Sequence, residues 1–142
     1  MILILDASMA LAWLLERKDQ GEAALAGEAL DIVRAAGAMV PALWFAEVAN
    51  ALLLAERQRV ITAQESASYL AELSLWEIVQ DSVPPASSLA NSIQLGRIYK
   101  LTAYDATYLE LAMRRAATLA TFDRKLADAA RAAGVRVFGD PA

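Results

Sequence analysis

Four acidic residues stand where a fold could bring them together for chemistry. Asp6 ends the apolar stretch MILILD, and Asp123 ends the stretch LATFD, just before a helical pattern. Glu47 lies within LWFAEVANALLLA and Asp105 within LTAYDATYLELA, both of which have helical patterns. Carboxylates gathered at one place can hold a divalent cation or transfer protons. The positions of these four acids in the fold therefore decide what chemistry is possible.

The composition restricts the chemistry that these acids can support. The 142 residues include no Cys and no His, which removes disulfides, thiolate zinc sites, cysteine nucleophiles and the usual neutral general base. The ligands of any bound metal must then be oxygens, which favours hard ions such as Mg²⁺ or Mn²⁺. The sequence has no GxxxxGK[ST] or GxGxxG motif and no adjacent pair of acids. P-loop, dinucleotide-binding and receiver-type phosphate chemistries are therefore disfavoured.

The order of apolar runs and helical patterns predicts a single α/β domain over residues 1–142. The chain is 58% hydrophobic with a mean hydropathy of +0.36, which suits a globular core. Helical patterns separate five runs suited to buried parallel strands, at 2–5, 38–40, 77–79, 118–121 and 135–138. This alternation predicts a doubly wound sheet. No run approaches the ~20 apolar residues of a membrane span, so we expect a soluble, cytoplasmic protein.

The predicted sheet places Asp6 and Asp123 at one edge, because ligands of open parallel sheets gather at the carboxyl ends of the strands. Glu47 and Asn50 are three residues apart in a helix predicted over 44–59, so both project from one face. An ionised, unpaired Glu47 in such apolar surroundings would be costly, and a bound cation would offset that cost. Asp105, in the first turn of a helix predicted to end near residue 115, is a fourth candidate.

Each candidate also has a structural explanation. Asp123 and Asp6 both precede predicted helices, where Asp is a preferred N-cap. Asp105 is the acidic member of an apparent capping box that starts at Thr102, and Thr62 to Glu65 has the same pattern. Glu47 is the hardest to explain structurally, because no cation follows it at i+4.

Two hydroxyl residues lie near the same predicted edge of the sheet. Ser8 follows Asp6 by two residues, and Thr121 precedes Asp123 by two. Ser and Thr in such positions often cap helices or stabilise turns. Their functional interpretation is that they support the carboxylates rather than react themselves.

Taken with their surroundings, the four acids resemble the PIN-domain family, and within it the VapC-type toxins of bacterial toxin–antitoxin systems. ILDASMALAWL is similar to the first acidic motif of the family and PALWFAEVANAL to the second. LTAYDATYLELA is similar to the third and LATFDRKLADAARAAGV to the fourth. The resemblance extends over nearly the whole chain, and four ordered motifs are more specific than any one of them.

The resemblance implies a three-layer α/β/α fold with a central parallel sheet in the order 3-2-1-4-5. It implies an endoribonuclease that hydrolyses RNA with Mg²⁺ or Mn²⁺, forms a homodimer and is covered by a VapB-type antitoxin. The implied catalytic and metal-binding residues are Asp6, Glu47, Asp105 and Asp123, with Ser8, Asn50 and Thr121 in support. Glu47 is either a metal ligand or the group that orients or deprotonates the attacking water.

Two other functions share these residues: a catalytically silent PIN-like module that binds RNA or protein, and a housekeeping PIN nuclease. The formal charge of −4 at first opposes RNA binding, which usually depends on neutralising phosphates. If four of the 17 acids belong to a metal centre, however, 13 remain against 13 Lys and Arg. The rest of the chain is then formally neutral, so the acidic charge does not exclude an RNA substrate.

Overall fold

A parallel sheet of four short strands forms the centre of the fold. The computed structural model describes residues 1–141. The strands are β1 (Leu3–Leu5), β2 (Ala38–Val40), β3 (Ile78–Gln80) and β4 (Thr118–Ala120). They lie in the order β3-β2-β1-β4, and every neighbouring pair is parallel. All residues of β1 and β4 are buried, which explains why the central strands are continuous apolar runs.

Helices occupy the connections and flank the sheet, as expected of an α/β fold. They are α1 (Ala7–Leu11), α2 (Gln20–Ala36), α3 (Leu43–Arg57), α4 (Ala63–Leu73), α5 (Pro85–Tyr99), α6 (Ala103–Arg114) and α7 (Arg124–Ala132). Helix α6 packs against β1 and β4 as well as against α5 and α7. None of these helices within residues 1–141 has the length and apolar character needed to cross a membrane.

The predicted α/β class and the parallel sheet are confirmed, with one difference at the edge of the sheet. Residues 135–138 were predicted as a fifth strand, but they add only a single parallel bridge, between Val137 and Leu119. The Leu119 N–H donates to the Arg136 carbonyl, and the Phe138 N–H donates to the Leu119 carbonyl. Gly134 and Gly139, both at positive φ, bracket this segment, so the pairing cannot extend.

The two predicted capping boxes have different outcomes. At Thr62 the box is complete: the Thr62 side chain accepts the Glu65 N–H, and the Glu65 carboxylate accepts the Thr62 N–H. At Thr102 only half of the box forms, because Thr102 Oγ1 accepts the Asp105 N–H at 3.2 Å and the reciprocal bond is missing. The Asp105 carboxylate is therefore not occupied by capping.

An ion-pair network fixes α6 relative to the segment after β3. Arg114 Nε donates to Glu110 at 2.9 Å, and Arg114 Nη2 donates to Asp81 at 2.6 Å. Glu110 is only 6% exposed, so its charge needs this partner. The Arg114 guanidinium also lowers the pKa of Asp81. Helix α6, which carries Asp105, is thereby held at both its buried face and its carboxyl end.

We expect Gly37→Ala to destabilise the protein and Gly27→Ala to stabilise it. Gly37 has φ 76°, and a Cβ there would collide with the Glu77 carbonyl oxygen, which accepts the Ala38 N–H between β2 and β3. The strain should cost at least about 2 kcal/mol of unfolding free energy. Gly27 is exposed inside α2 with nothing near its Cβ position, so Ala should add about 1 kcal/mol. Urea unfolding measures both changes, and equal effects at the two glycines would contradict this account.

Candidate active site

Asp6 is a buried carboxylate at the end of β1. It is 6% exposed and occupies the N-cap position of α1, but its side chain makes no capping hydrogen bond there. Instead, Asp6 Oδ2 accepts hydrogen bonds from Ser8 Oγ and Thr121 Oγ1, each at 2.6 Å. The structural explanation of Asp6 as a side-chain cap is therefore wrong. The two hydroxyls stabilise a charge that burial would otherwise make costly.

Ser8 and Thr121 also tie the ends of β1 and β4 together. Ser8 Oγ accepts the Phe122 N–H and Thr121 Oγ1 accepts the Asp123 N–H, both at 3.0 Å. The two hydroxyl oxygens are 3.4 Å apart. Each hydroxyl thus accepts from the backbone after β4 and donates to the same Asp6 oxygen. This arrangement brings the first and fourth acidic motifs to one edge of the sheet.

Asp123 caps α7, as its structural explanation predicted. Its Oδ1 accepts the Leu126 N–H at 2.9 Å. Capping uses one carboxylate oxygen only. The negative charge of Asp123 also raises the pKa of Asp6 and of Asp105, so the three carboxylates are close enough to repel one another. Asp123 can therefore cap α7 and still belong to the group of acids.

Glu47 joins the same group from α3, with Tyr108 of α6 as its partner. The Tyr108 hydroxyl donates to Glu47 Oε1 at 2.5 Å. Tyr108 is fully buried, whereas Glu47 is half-buried. The sequence analysis did not single out Tyr108. Its position three residues after Asp105, on the same face of α6, was the available signal.

Burial and mutual repulsion disfavour the charged forms of the acids. Burial is the largest cause that raises the pKa of Asp6, and the two hydroxyls partly oppose it. Burial also raises the pKa of Glu47, with further contributions from the charges of Asp6 and Asp105. The pKa of Asp105 rises to about 6, first through burial and then through the charges of Asp123 and Asp6. The four acids therefore form one electrostatically coupled group, which we call the acid group.

The oxygen atoms and the negative charge of the acid group suit a divalent cation, but its side chains do not converge on one point. Within residues 1–141, none of the four carboxylates forms an ion pair with Lys or Arg. In the same residues, no three acidic side chains lie close enough to make a ready ligand set. A hard ion would supply the missing positive charge to oxygen donors.

Asn50 stands apart from the other sequence candidates. It follows Glu47 by one turn of α3, as predicted, but its side chain is exposed. Across residues 1–141 the Asn50 side chain makes no hydrogen bond, so the structure does not connect it to the acid group.

A cation that the sequence analysis did not single out lies beside the site. The Arg17 guanidinium stacks 4.4 Å from the centroid of the Phe122 ring, and Phe122 lies between Thr121 and Asp123. Arg17 also pairs with Glu22 at 3.3 Å. Its position beside the site depends on the contact with Phe122, which is distant in sequence and which the local pattern does not reveal.

Comparison with known proteins places this arrangement in a family. The family model of the PIN domain matches residues 3–132, and the chain belongs to the PIN-domain family. A search of curated proteins gave no match.

Solved structures share the fold at low sequence identity. PAE2754 from Pyrobaculum aerophilum has 20% identity and a TM-score of 0.65, covering 91% of this chain and 84% of its own. FitAcB from Neisseria gonorrhoeae has 18% identity and a TM-score of 0.65, covering 97% of both chains. FitAB bound to an IR36 DNA fragment has 20% identity and a TM-score of 0.64, covering 96% of this chain and 94% of its own. These likenesses show the fold.

We expect Asp105→Asn to stabilise the metal-free protein at pH 8. The folded pKa of about 6 exceeds the usual 3.8, so the folded state binds more protons between pH about 4 and 6. The contribution of Asp105 to the unfolding free energy therefore falls as pH rises from about 4 to 6. At pH 8 the full destabilisation from its charged form is present. The neutral Asn avoids it, so the gain should shrink towards pH 4.

Urea unfolding in EDTA at several pH values measures the gain from Asp105→Asn. Asp31→Asn is the control, because Asp31 is exposed on α2. A less stable Asp105→Asn protein at pH 8 would show that the acid group is not repulsive.

Proposed function

We propose that this chain is a metal-dependent endoribonuclease and the toxin of a VapBC-type toxin–antitoxin system. One observation carries the proposal: a PIN fold gathers four acids at the carboxyl edge of its sheet, none of them in an ion pair within residues 1–141. PIN domains are generally nucleases, which supports phosphodiester hydrolysis as the reaction. An ion-pair network would be the structural alternative, and the acid group contains no such pair within residues 1–141.

In this proposal Asp6, Asp105 and Asp123 hold Mg²⁺ or Mn²⁺, and Glu47 is either a further ligand or the group that orients the attacking water. A bound divalent ion lowers the pKa of its water and neutralises charge that develops on the phosphate. Ser8 and Thr121 favour the ionised form of Asp6 and fix its position by donating to Oδ2, which opposes part of the rise in its pKa from burial. No histidine is present, so a carboxylate is the available proton acceptor. Burial raises the pKa of Glu47, which makes it a stronger base than an exposed Glu.

The charge distribution is compatible with an RNA substrate once the acid group is neutralised. The remaining 13 acids balance 13 Lys and Arg, so we propose that the local shape of the RNA contributes more to its recognition than a broad basic face of the protein does. Arg17 and Lys125 are cations next to the site: Arg17 stacks on Phe122, and the charge of Lys125 lowers the pKa of Asp105. Both are suited to phosphates on either side of the cleaved bond.

The surface of α3 and α4 supports a protein partner. Phe45, Leu53 and Leu70 are each 46–50% exposed. Beside them lies a groove of about 350 Å³, lined by ten residues that include Trp44, whose buried Nε1 has no acceptor within residues 1–141. Exposed apolar surface of this kind usually marks an interface. FitAB, which shares the fold, is bound to DNA, and this supports an assembly with a DNA-binding antitoxin. The apolar surface would also suit a homodimer.

We expect light scattering at micromolar concentration to give the mass of a dimer. Leu70→Lys should shift the mass towards one copy, because Leu70 lines this groove and a lysine charge would be buried in an apolar interface. Leu89→Lys on α5 is the matched control, since Leu89 is 60% exposed outside this surface. A monomeric wild type with no co-purifying partner would count against a covered α3–α4 surface.

We expect antitoxin-free protein to cut a labelled mixed RNA pool with Mg²⁺ or Mn²⁺ and not with EDTA. Asp6→Asn keeps the shape of the side chain but removes its charge, and it should lower the rate roughly 100-fold or more. Asp31→Asn, an exposed Asp far from the acid group in sequence, should cut like the wild type. Circular dichroism checks that both variants fold.

Each outcome of the cleavage assay has a distinct meaning. Cutting that EDTA and Asp6→Asn both abolish supports the nuclease and yields fragments for mapping the RNA target. Equal cutting by Asp6→Asn would indicate a contaminating nuclease. No cutting by folded, metal-loaded wild type would favour a binding module that retains the fold.

A further inference from the structure

We propose that Tyr108 is a positioning residue, whose buried hydroxyl holds the Glu47 carboxylate in the acid group and so strengthens divalent-ion binding. The inference rests on the proposed function, because it assigns Tyr108 a part in the same site. Tyr108 contacts no substrate in this account. It acts through Glu47, to which it donates a hydrogen bond at 2.5 Å.

Tyr108 is a rigid anchor for this bond. It is 0% exposed, and its neighbours Ala106 and Leu109 on α6 are also 0% exposed. Helix α6 packs against β1 and β4, so the ring has little freedom to move. Asp105 lies three residues before Tyr108 on the same face of the helix. One helix face therefore supplies both an acid and the hydroxyl that holds another acid.

Within the described part of the chain, Glu47 is held in the acid group by a single side-chain hydrogen bond. Asp6 is held by two hydroxyls and Asp123 by the α7 backbone, whereas Glu47 receives a side-chain bond from Tyr108 alone within residues 1–141. Glu47 is half-buried, with longer side-chain reach than Asp and exposed neighbours on α3. Without the hydroxyl, the carboxylate can turn towards water. The bond restricts that freedom before an ion binds, which favours binding.

Tyr69 shows what a purely structural tyrosine hydroxyl looks like in this fold. It is 4% exposed, and its hydroxyl donates to the Ala10 carbonyl at 2.5 Å, joining α4 to α1. Its burial and bond length match those of Tyr108, but its acceptor is a backbone carbonyl. Tyr69→Phe therefore removes an equivalent buried hydroxyl without touching an acid, and it is the matched control.

The test is Mn²⁺ titration of the full-length, metal-free protein, followed by the electron paramagnetic resonance signal of free Mn²⁺. We expect Tyr108→Phe to bind Mn²⁺ roughly tenfold more weakly than the wild type, the scale on which groups that orient metal ligands act. Tyr69→Phe should bind like the wild type, although both variants lose thermal stability. In a Glu47→Gln background, Tyr108→Phe should cause no further loss, because the two residues act as one unit.

Three outcomes would overturn the inference, and they differ from one another. Unchanged Mn²⁺ affinity in Tyr108→Phe would leave the hydroxyl a structural role only. Equal weakening in Tyr69→Phe would indicate general loosening of the core. Absence of Mn²⁺ binding by the wild type would overturn the proposed metal centre, and with it this inference.

A second measurement covers the case in which Tyr108→Phe fails to fold. In the wild type, the buried Tyr108 hydroxyl proton should exchange slowly and give a proton NMR signal that Glu47→Gln displaces. Saturating Mg²⁺ should shift this signal while leaving that of Tyr69 in place. A Tyr108 signal that does not respond to Mg²⁺ would overturn the inference.

Discussion

The site depends on the double hydrogen bond to Asp6. A buried carboxylate is unfavourable unless donors compensate for the water it has lost, and Ser8 and Thr121 both donate to one of its oxygens. Ser8 belongs to the corner after β1, and Thr121 to the corner after β4. Because β1 and β4 are parallel neighbours, those corners meet at one edge of the sheet. The same hydrogen bonds that offset the cost of burying Asp6 therefore fix the first and fourth acidic motifs relative to each other.

The rest of the acid group is assembled by helices that carry their own constraints. Glu47 comes from α3 and Asp105 from α6, and α6 is anchored by packing on the sheet and by the pair between Arg114 and Asp81 in the segment after β3. Arg114 serves this network, whereas within residues 1–141 none of the four carboxylates of the acid group forms an ion pair. The result is a concentration of negative charge that destabilises the metal-free protein and favours a cation. Functional sites often contain locally unfavourable interactions of this kind, for which packing elsewhere in the fold compensates.

The sequence predicts the elements better than it predicts contacts between them. Strands β1, β2 and β4 are recognisable because most of their residues are apolar and buried. The segment around Val137 includes the exposed Arg136, and it adds one bridge between two glycines at positive φ. Asp6 and Asp123 were predictable because strand ends of a parallel sheet share an edge. The bond between Tyr108 and Glu47 spans 61 positions, and no local pattern encodes such a pairing.

The hydrogen bonds explain how capping and chemistry can coexist in the same side chains. Asp123 gives Oδ1 to the Leu126 N–H, and Glu47 gives Oε1 to Tyr108. In each case the second oxygen has no hydrogen bond to another residue within 1–141. One oxygen therefore serves the fold, and the other can bind a cation. Asp105 differs, because its backbone N–H rather than its carboxylate takes part in capping. For the four acids of this group, a structural role is therefore no argument against a functional one, since each carboxylate has two oxygens and the hydrogen bonds of the fold use at most one of them.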